Sequence, residues 1–221
     1  MLKANLYDFI VFDCDGVILD SNKIKTDGFR YALRQYPHEV VDAFVDYHKT
    51  NGGVSRQQKL QHFFCTMLKL EIGNAYNKAL NEFAQYCHRA LLDCSLVAGV
   101  KEYLQELNSL KVPIFIVSGG NEMEIKDVFK AKQIDHYFKG IYGNPKPKEQ
   151  CLEELLASGI VSGKGLFYGD AALDYELATT SDMDFIFVYG VSEWNAGLNF
   201  CQENQLPCIK SFLDILDKHQ C

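Results

Sequence analysis

A chain of 221 residues fits one large domain or a domain carrying an insert. Its 48% hydrophobic content, with 13% aromatic residues, supplies a sizeable core and excludes a disordered chain. Acidic residues outnumber basic ones by 29 to 22, and the net charge of −7 argues against nonspecific binding to nucleic acid or a membrane surface. That balance does not prevent binding of an anionic metabolite, because a site can be locally positive.

The apolar run Phe9 to Phe12, β-branched and aromatic, predicts a short strand buried on both faces. It ends in Asp13-Cys14-Asp15-Gly16-Val17. Carboxylates spaced i, i+2 at a strand end point to one side and repel each other unless a cation or proton compensates. Gly16 lets the backbone turn there. Cys14 is expected to face the core, because neighbouring negative charge disables a thiol as nucleophile.

From Asn22 to about Leu92 helical spacing takes over, with Phe29, Leu33 and Tyr36 in one helix and Val40, Val41, Phe44 and Tyr47 in the next, which opens at Pro37. Asn51-Gly52-Gly53 breaks the pattern, Ser55 caps a helix carrying Leu60, Phe63, Phe64 and Met67, and Asn74 caps a long helix.

From Val97 helices and strands alternate. Helices are expected over 100–110, 121–131, 149–157 and 171–180, and strands over 113–117, 140–142, 166–168 and 185–189. A helix, a strand and a helix close the chain. Alternation of this kind predicts an open α/β fold with a parallel sheet. The domains expected are an α/β core over 1–21 and 96–221, and a helical insert over 22–95.

Ligands of open α/β sheets bind beyond the carboxyl ends of the strands. Four expected strands end there in chemically capable groups. The first ends in Asp13 and Asp15, the second in Ser118-Gly119-Gly120. The third leads to Lys146 and Lys148, and the fourth ends in Asp170, with Asp174 one helical turn later. Each has an ordinary explanation alone, as a helix cap or a solvated charge. Together they describe phosphoryl transfer. Carboxylates share a Mg²⁺ ion, and a hydroxyl, amides and an ammonium hold phosphate oxygens. One carboxylate attacks phosphorus while another moves the proton.

In this order the motifs resemble the haloacid dehalogenase-like hydrolase superfamily, in the branch with a helical cap after the first strand. Asp13 to Val17 matches its DxDGV motif, Ser118 its strand-end Ser or Thr, Lys146 or Lys148 its lysine, and Gly169-Asp170 with Asp174 its GDxxxD motif. The resemblance implies a Rossmann-like core with Asp13 as nucleophile and Asp15 as general acid/base. It implies Mg²⁺ held by Asp13, the Asp15 backbone carbonyl and Asp170, with Asp174 orienting that shell. Ser118, the adjacent Gly119 and one lysine would hold the phosphoryl group. Lys146-Pro147 fits one family form and Lys148 another, with Lys148 preferred. Gly52-Gly53-Val54-Ser55-Arg56 looks like the substrate-facing cap loop of β-phosphoglucomutase-like members. The expected reaction is hydrolysis of a small sugar or sugar-acid phosphate. A phosphosugar mutase or a catalytically silent phosphate-binding member is the alternative.

The eight cysteines, Cys14, Cys65, Cys87, Cys94, Cys151, Cys201, Cys208 and Cys221, form no CxxC pair and no zinc-type cluster with histidine. The first residues lack the apolar segment of a secretory leader, and no stretch approaches the ~20 apolar residues of a membrane span. These features predict a cytoplasmic protein, monomeric or homodimeric. Its partner would be a small phosphorylated metabolite rather than nucleic acid or membrane.

Overall fold

The run Phe9–Phe12 is the central strand, β1, and all four of its residues are buried. Its side chains alternate between two cores. Ile10 and Phe12 face one, with Leu104, Leu107 and Phe129. Phe9 and Val11 face the other, with Leu152, Leu155 and Phe167. A strand so enclosed needs apolar residues at every position, as a parallel sheet covered on both faces requires. The computed structural model describes residues 4–217; Cys221 lies outside them.

Five more strands complete a parallel sheet: β2 (Ile114–Asn121), β3 (Gly140–Asn144), β4 (Gly165–Gly169), β5 (Asp184–Val188) and β6 (Cys208–Ile209). The order is β3-β2-β1-β4-β5-β6, and every adjacent pair is parallel. The chain therefore leaves β1 in one direction and resumes on its other side at β4. That reversal makes β1/β4 the switch point, where crossovers diverge and a crevice opens. Phe12 pairs with Tyr168, and their rings stack at 4.9 Å. Asp13 and Asp170 consequently emerge from neighbouring strand ends.

Between β1 and β2 stand α1 (Asn22–Ala32), α2 (His38–Thr50), α3 (Arg56–Gln61) and α4 (Asn74–Asp93). A π-helical turn, His62–Met67, continues α3. Ser55 caps α3 as expected, accepting from the Gln58 amide. Asn74 is instead the first helical residue of α4, with Gly73 in the cap position. Phe29, Phe44, Phe63 and Phe83 form the aromatic centre of the insert. Burial of side chains of this size contributes roughly 1.5–3 kcal/mol each.

Helices α5 (Val100–Ser109) and α6 (Glu122–Ala131) cover one face of the sheet. Helices α7 (Lys148–Ala157), α8 (Ala172–Thr180) and α9 (Gly197–Glu203) cover the other, and α10 (Leu213–Leu216) ends the described chain. Among the described residues no helix is long and apolar enough to cross a membrane.

Candidate active site

Asp13 follows β1 directly and is buried, its amide donating to the Tyr168 carbonyl. Lys148, the first residue of α7, reaches it from beneath. The ammonium donates to Asp13 Oδ1 at 2.6 Å and to Asp174 Oδ1 at 2.5 Å. Asp174 uses its other oxygen to accept from the Asp170 and Ala171 amides at 2.9 and 3.1 Å. Both of its oxygens are thus committed, and Asp174 locks α7 to the β4–α8 turn. Asp170 Oδ2 accepts from Asn22 Nδ2 at 2.6 Å, and that amide also donates to the Val191 carbonyl. A Cβ on Gly16, whose φ is +85°, would lie 2.2 Å from Asp170 Oδ2, so only glycine fits there.

Asp13, Asp170 and Asp174 each offer a carboxylate oxygen within 4.8 Å of the others. One ammonium faces three carboxylates. Burial raises Asp13 to about 7, the charges of Asp174 and Asp15 add to the rise, and Lys148 offsets part of it. Asp170 is pushed well above the carboxylate range by burial, then by Asp13 and Asp174. Burial works against the charge on Lys148, but its two carboxylates outweigh that and hold it above the lysine range. A hard, all-oxygen cluster with surplus negative charge fits a divalent cation of the Mg²⁺ kind.

Asp15 stands apart from this trio. Its Oδ1 accepts from the Ser21 hydroxyl at 2.5 Å and lies 3.5 Å from Lys25 Nζ. Ser118, buried at the bend of β2, accepts from the Gly120 amide at 3.0 Å, which leaves its own proton free. Asn121, not Ser118, caps α6. Cys14 is buried, and burial followed by the Asp15 and Asp13 charges raises its thiol well above the usual range, so it is inert as a nucleophile.

Asp13, Asp15, Ser118, Gly119 and Asp170 line one cavity between sheet and insert, closed from above by Gly52, Gly53 and Arg56. Lys146 does not reach it. That side chain is half exposed and pairs with Glu154 on the surface. Arg56 lines the cavity but is already engaged. It donates to Glu124 Oε2 at 2.8 Å and lies over the Phe83 ring. The tandem glycines press on protein as well as facing the cavity. A Cβ on Gly119 would meet the Gly53 carbonyl oxygen at 1.9 Å, and one on Gly52 would meet Ala171 Cβ at 2.6 Å.

Several wall residues escaped the sequence reading: Asn22, Lys25, His48, Lys59 and Glu193. A signal existed for part of α1. Asn22, Lys25 and Thr26, at i, i+3 and i+4, share the helix face that follows the first motif. Thr26 donates to Glu193, which also lies 3.8 Å from His48 and 3.9 Å from Lys49. No local pattern marks Glu193.

Among curated proteins none matches the chain. Solved structures do. A protein described as a predicted phosphoglycolate phosphatase from Haemophilus somnus is similar at TM-score 0.74 and 19% identity, with 99% of this chain and 100% of that one covered. A protein described as a predicted phosphatase from Clostridium acetobutylicum gives 0.75 and 15%, covering 97% and 98%. A Bacillus subtilis protein described as a HAD-hydrolase and solved bound to magnesium gives 0.69 and 14%, covering 97% and 99%. Likeness at such identities speaks to the fold alone. The family model for haloacid dehalogenase-like hydrolases matches residues 10–188. That span runs from β1, which presents Asp13, to the end of β5, and on its strength the chain belongs to the haloacid dehalogenase-like hydrolase family.

Proposed function

We propose that the protein is a Mg²⁺-dependent phosphomonoester hydrolase that works through an aspartyl-phosphate on Asp13. The observation that carries this reading is the buried Asp13–Lys148–Asp174 chain at the sheet's switch point, with Asp170 beside it. Asp13 and Asp170, with the Asp15 backbone carbonyl, would hold the metal. When bound, Mg²⁺ supplies positive charge that lets a phosphate dianion approach these carboxylates. Asp174 acts by fixing Lys148 and the Asp170 backbone.

The chain's own residues then divide the work. Lys148 holds and orients the Asp13 carboxylate, which attacks phosphorus. The Ser118 hydroxyl donates to a phosphoryl oxygen, with the Gly119 amide beside it. As the ester P–O bond breaks, Asp15 protonates the leaving oxygen. Ser21 and Lys25 fix the Asp15 carboxylate for that transfer. Water next attacks the aspartyl-phosphate, gives its proton to Asp15, and frees inorganic phosphate and the Asp13 carboxylate.

A small phosphorylated metabolite is the expected substrate. The helical insert, residues 22–95, serves as the cap, with Gly52, Gly53 and Arg56 at its substrate-facing edge. The seven described cysteines are all free, which supports a reducing, cytoplasmic setting.

The test is phosphate release from p-nitrophenyl phosphate and a panel of small phosphate esters. Activity is expected with Mg²⁺, abolished by a chelator, and lost in Asp13→Asn with its melting transition retained. Chelator-insensitive turnover, or full activity in Asp13→Asn, would refute the reading.

A further inference from the structure

Lys59, on α3, is 3% exposed and lines the same cavity. Its ammonium lies 2.8 Å from His48 Nδ1 and 3.3 Å from the His48 carbonyl oxygen. Other buried cations here have carboxylate partners: Lys148 with Asp13 and Asp174, Lys25 with Asp15 and Glu124, Arg56 with Glu124. Among the described residues Lys59 has no carboxylate within ion-pair distance. A buried ammonium without a counter-charge is costly, and folds seldom retain one without a use.

His48 supplies the second observation. Burial, then the charges of Lys59, Lys49 and Lys25, hold its imidazole well below the usual range, so it is neutral. With Nδ1 accepting from Lys59, the ring proton belongs on Nε2. That atom is buried and has no hydrogen-bond partner among the described residues. Glu193, at 3.8 Å, is too far to take the bond; its carboxylate accepts from the single Thr26 hydroxyl. In its protonated form, favoured below about pH 7, Lys59 therefore carries an unused third N–H and an uncompensated positive charge on the cavity wall, backed by a buried His48 Nε2–H that also lacks a partner.

We propose that Lys59 and His48 form a subsite for a second acidic group on the substrate, a carboxylate or a further phosphate. The subsite deepens the phosphomonoester reading and rests on it. It narrows the substrate to a phosphorylated acid. A carboxylate or phosphate offers acceptor oxygens to both donors and neutralises Lys59. A neutral alcohol can accept a hydrogen bond but leaves the Lys59 charge uncompensated.

The test compares 2-phosphoglycolate with 2-hydroxyethyl phosphate, which replaces the acid by an alcohol. Ethylene glycol bisphosphate carries a phosphate there and distinguishes the two acids. The full chain with Mg²⁺ is expected to prefer an acidic ester. Lys59→Met should cut kcat/KM for that ester about ten- to hundredfold, as loss of charge-assisted hydrogen bonds does, with the alcohol ester and p-nitrophenyl phosphate nearly unchanged. Lys59→Gln, which keeps a donor but no charge, should fall between. Calorimetric titration of the same esters into Asp13→Asn, with and without Lys59→Met, reads binding without turnover. It decides the question even if no ester is hydrolysed. Equal affinity for acid and alcohol, or an equal loss of both on Lys59→Met, would overturn the subsite. Lost acid discrimination in that variant supports it.

Discussion

Lys148 is the residue on which the buried charge balance turns. Removing it leaves Asp13 and Asp174 without their cation. Lys148→Ala should therefore abolish turnover and cost roughly 3–5 kcal/mol of stability, as breaking a buried ion pair does. Lys146→Ala should leave both melting temperature and turnover unchanged, since that side chain pairs with Glu154 at the surface. Thermal melts and phosphate release on the two variants check this contrast. The sequence offered both lysines because they flank one proline at a helix start. Only the fold shows that Lys148 opens α7 and reaches Asp13 and Asp174.

Lys59 gives a pH signature. Burial is the largest influence on it and lowers it to about 7, while Asp15, Glu193 and Asp170 oppose the shift and Lys25 adds to it. Neutral His48 is its hydrogen-bond partner. The unfolded chain holds this proton up to the ordinary lysine range, whereas the folded chain releases it from about pH 7. Folding stability attributable to Lys59 must then be lowest below pH 7 and recover as pH rises. Lys59→Met is expected to melt higher than the parent near pH 6.5, with a gain that shrinks toward pH 9. A lower melting temperature at every pH would make Lys59 a structural support instead.

The loops between elements carry the closure of the site. Gly119, at the bend of β2, and Gly53, after α2, meet backbone to backbone. Gly119→Ala drives a Cβ into the Gly53 carbonyl, and overpacking of this kind costs about 1–3 kcal/mol. It should raise KM for small esters well above the parent value. Gly120→Ala, whose nearest neighbour would be the Ile125 side-chain end at 3.2 Å, should be milder. Equal effects in steady-state kinetics would contradict the close approach. Elements themselves were largely legible, because apolar runs and helical spacing mark β1, β4, β5 and α1 through α8. Two details were not. The strand β2 continues through Ser118 to Asn121 rather than ending at Val117, carried by an irregular pairing with β3. The π-turn after α3 has no spacing distinct from an α-helix.

At the scale of the whole molecule, the parallel sheet and its helical insert follow from the order of strand-like and helical stretches. The motifs at four strand ends were readable because strand ends converge on one edge of such a sheet. The contacts that seat the insert were not readable. Arg56 with Glu124 and Thr26 with Glu193 join residues 68 and 167 positions apart, and charged residues at such separations carry no local pattern. Arg56, expected in a substrate-facing cap loop, lines the cavity and at the same time ties the insert to α6 through Glu124.

Asp13 as the attacking group and Asp15 as the proton carrier are the centre of the proposed chemistry. Asp15→Asn should slow water attack on the aspartyl-phosphate by roughly 10²–10⁴-fold, while p-nitrophenyl phosphate needs no proton on departure. Mass spectrometry of this variant, quenched in acid after exposure to that ester with Mg²⁺, is expected to find one phosphoryl group on the peptide containing Asp13. Adding Asp13→Asn should remove it. Turnover lost with no phosphoryl group on Asp13, or with one on another residue, would contradict the account.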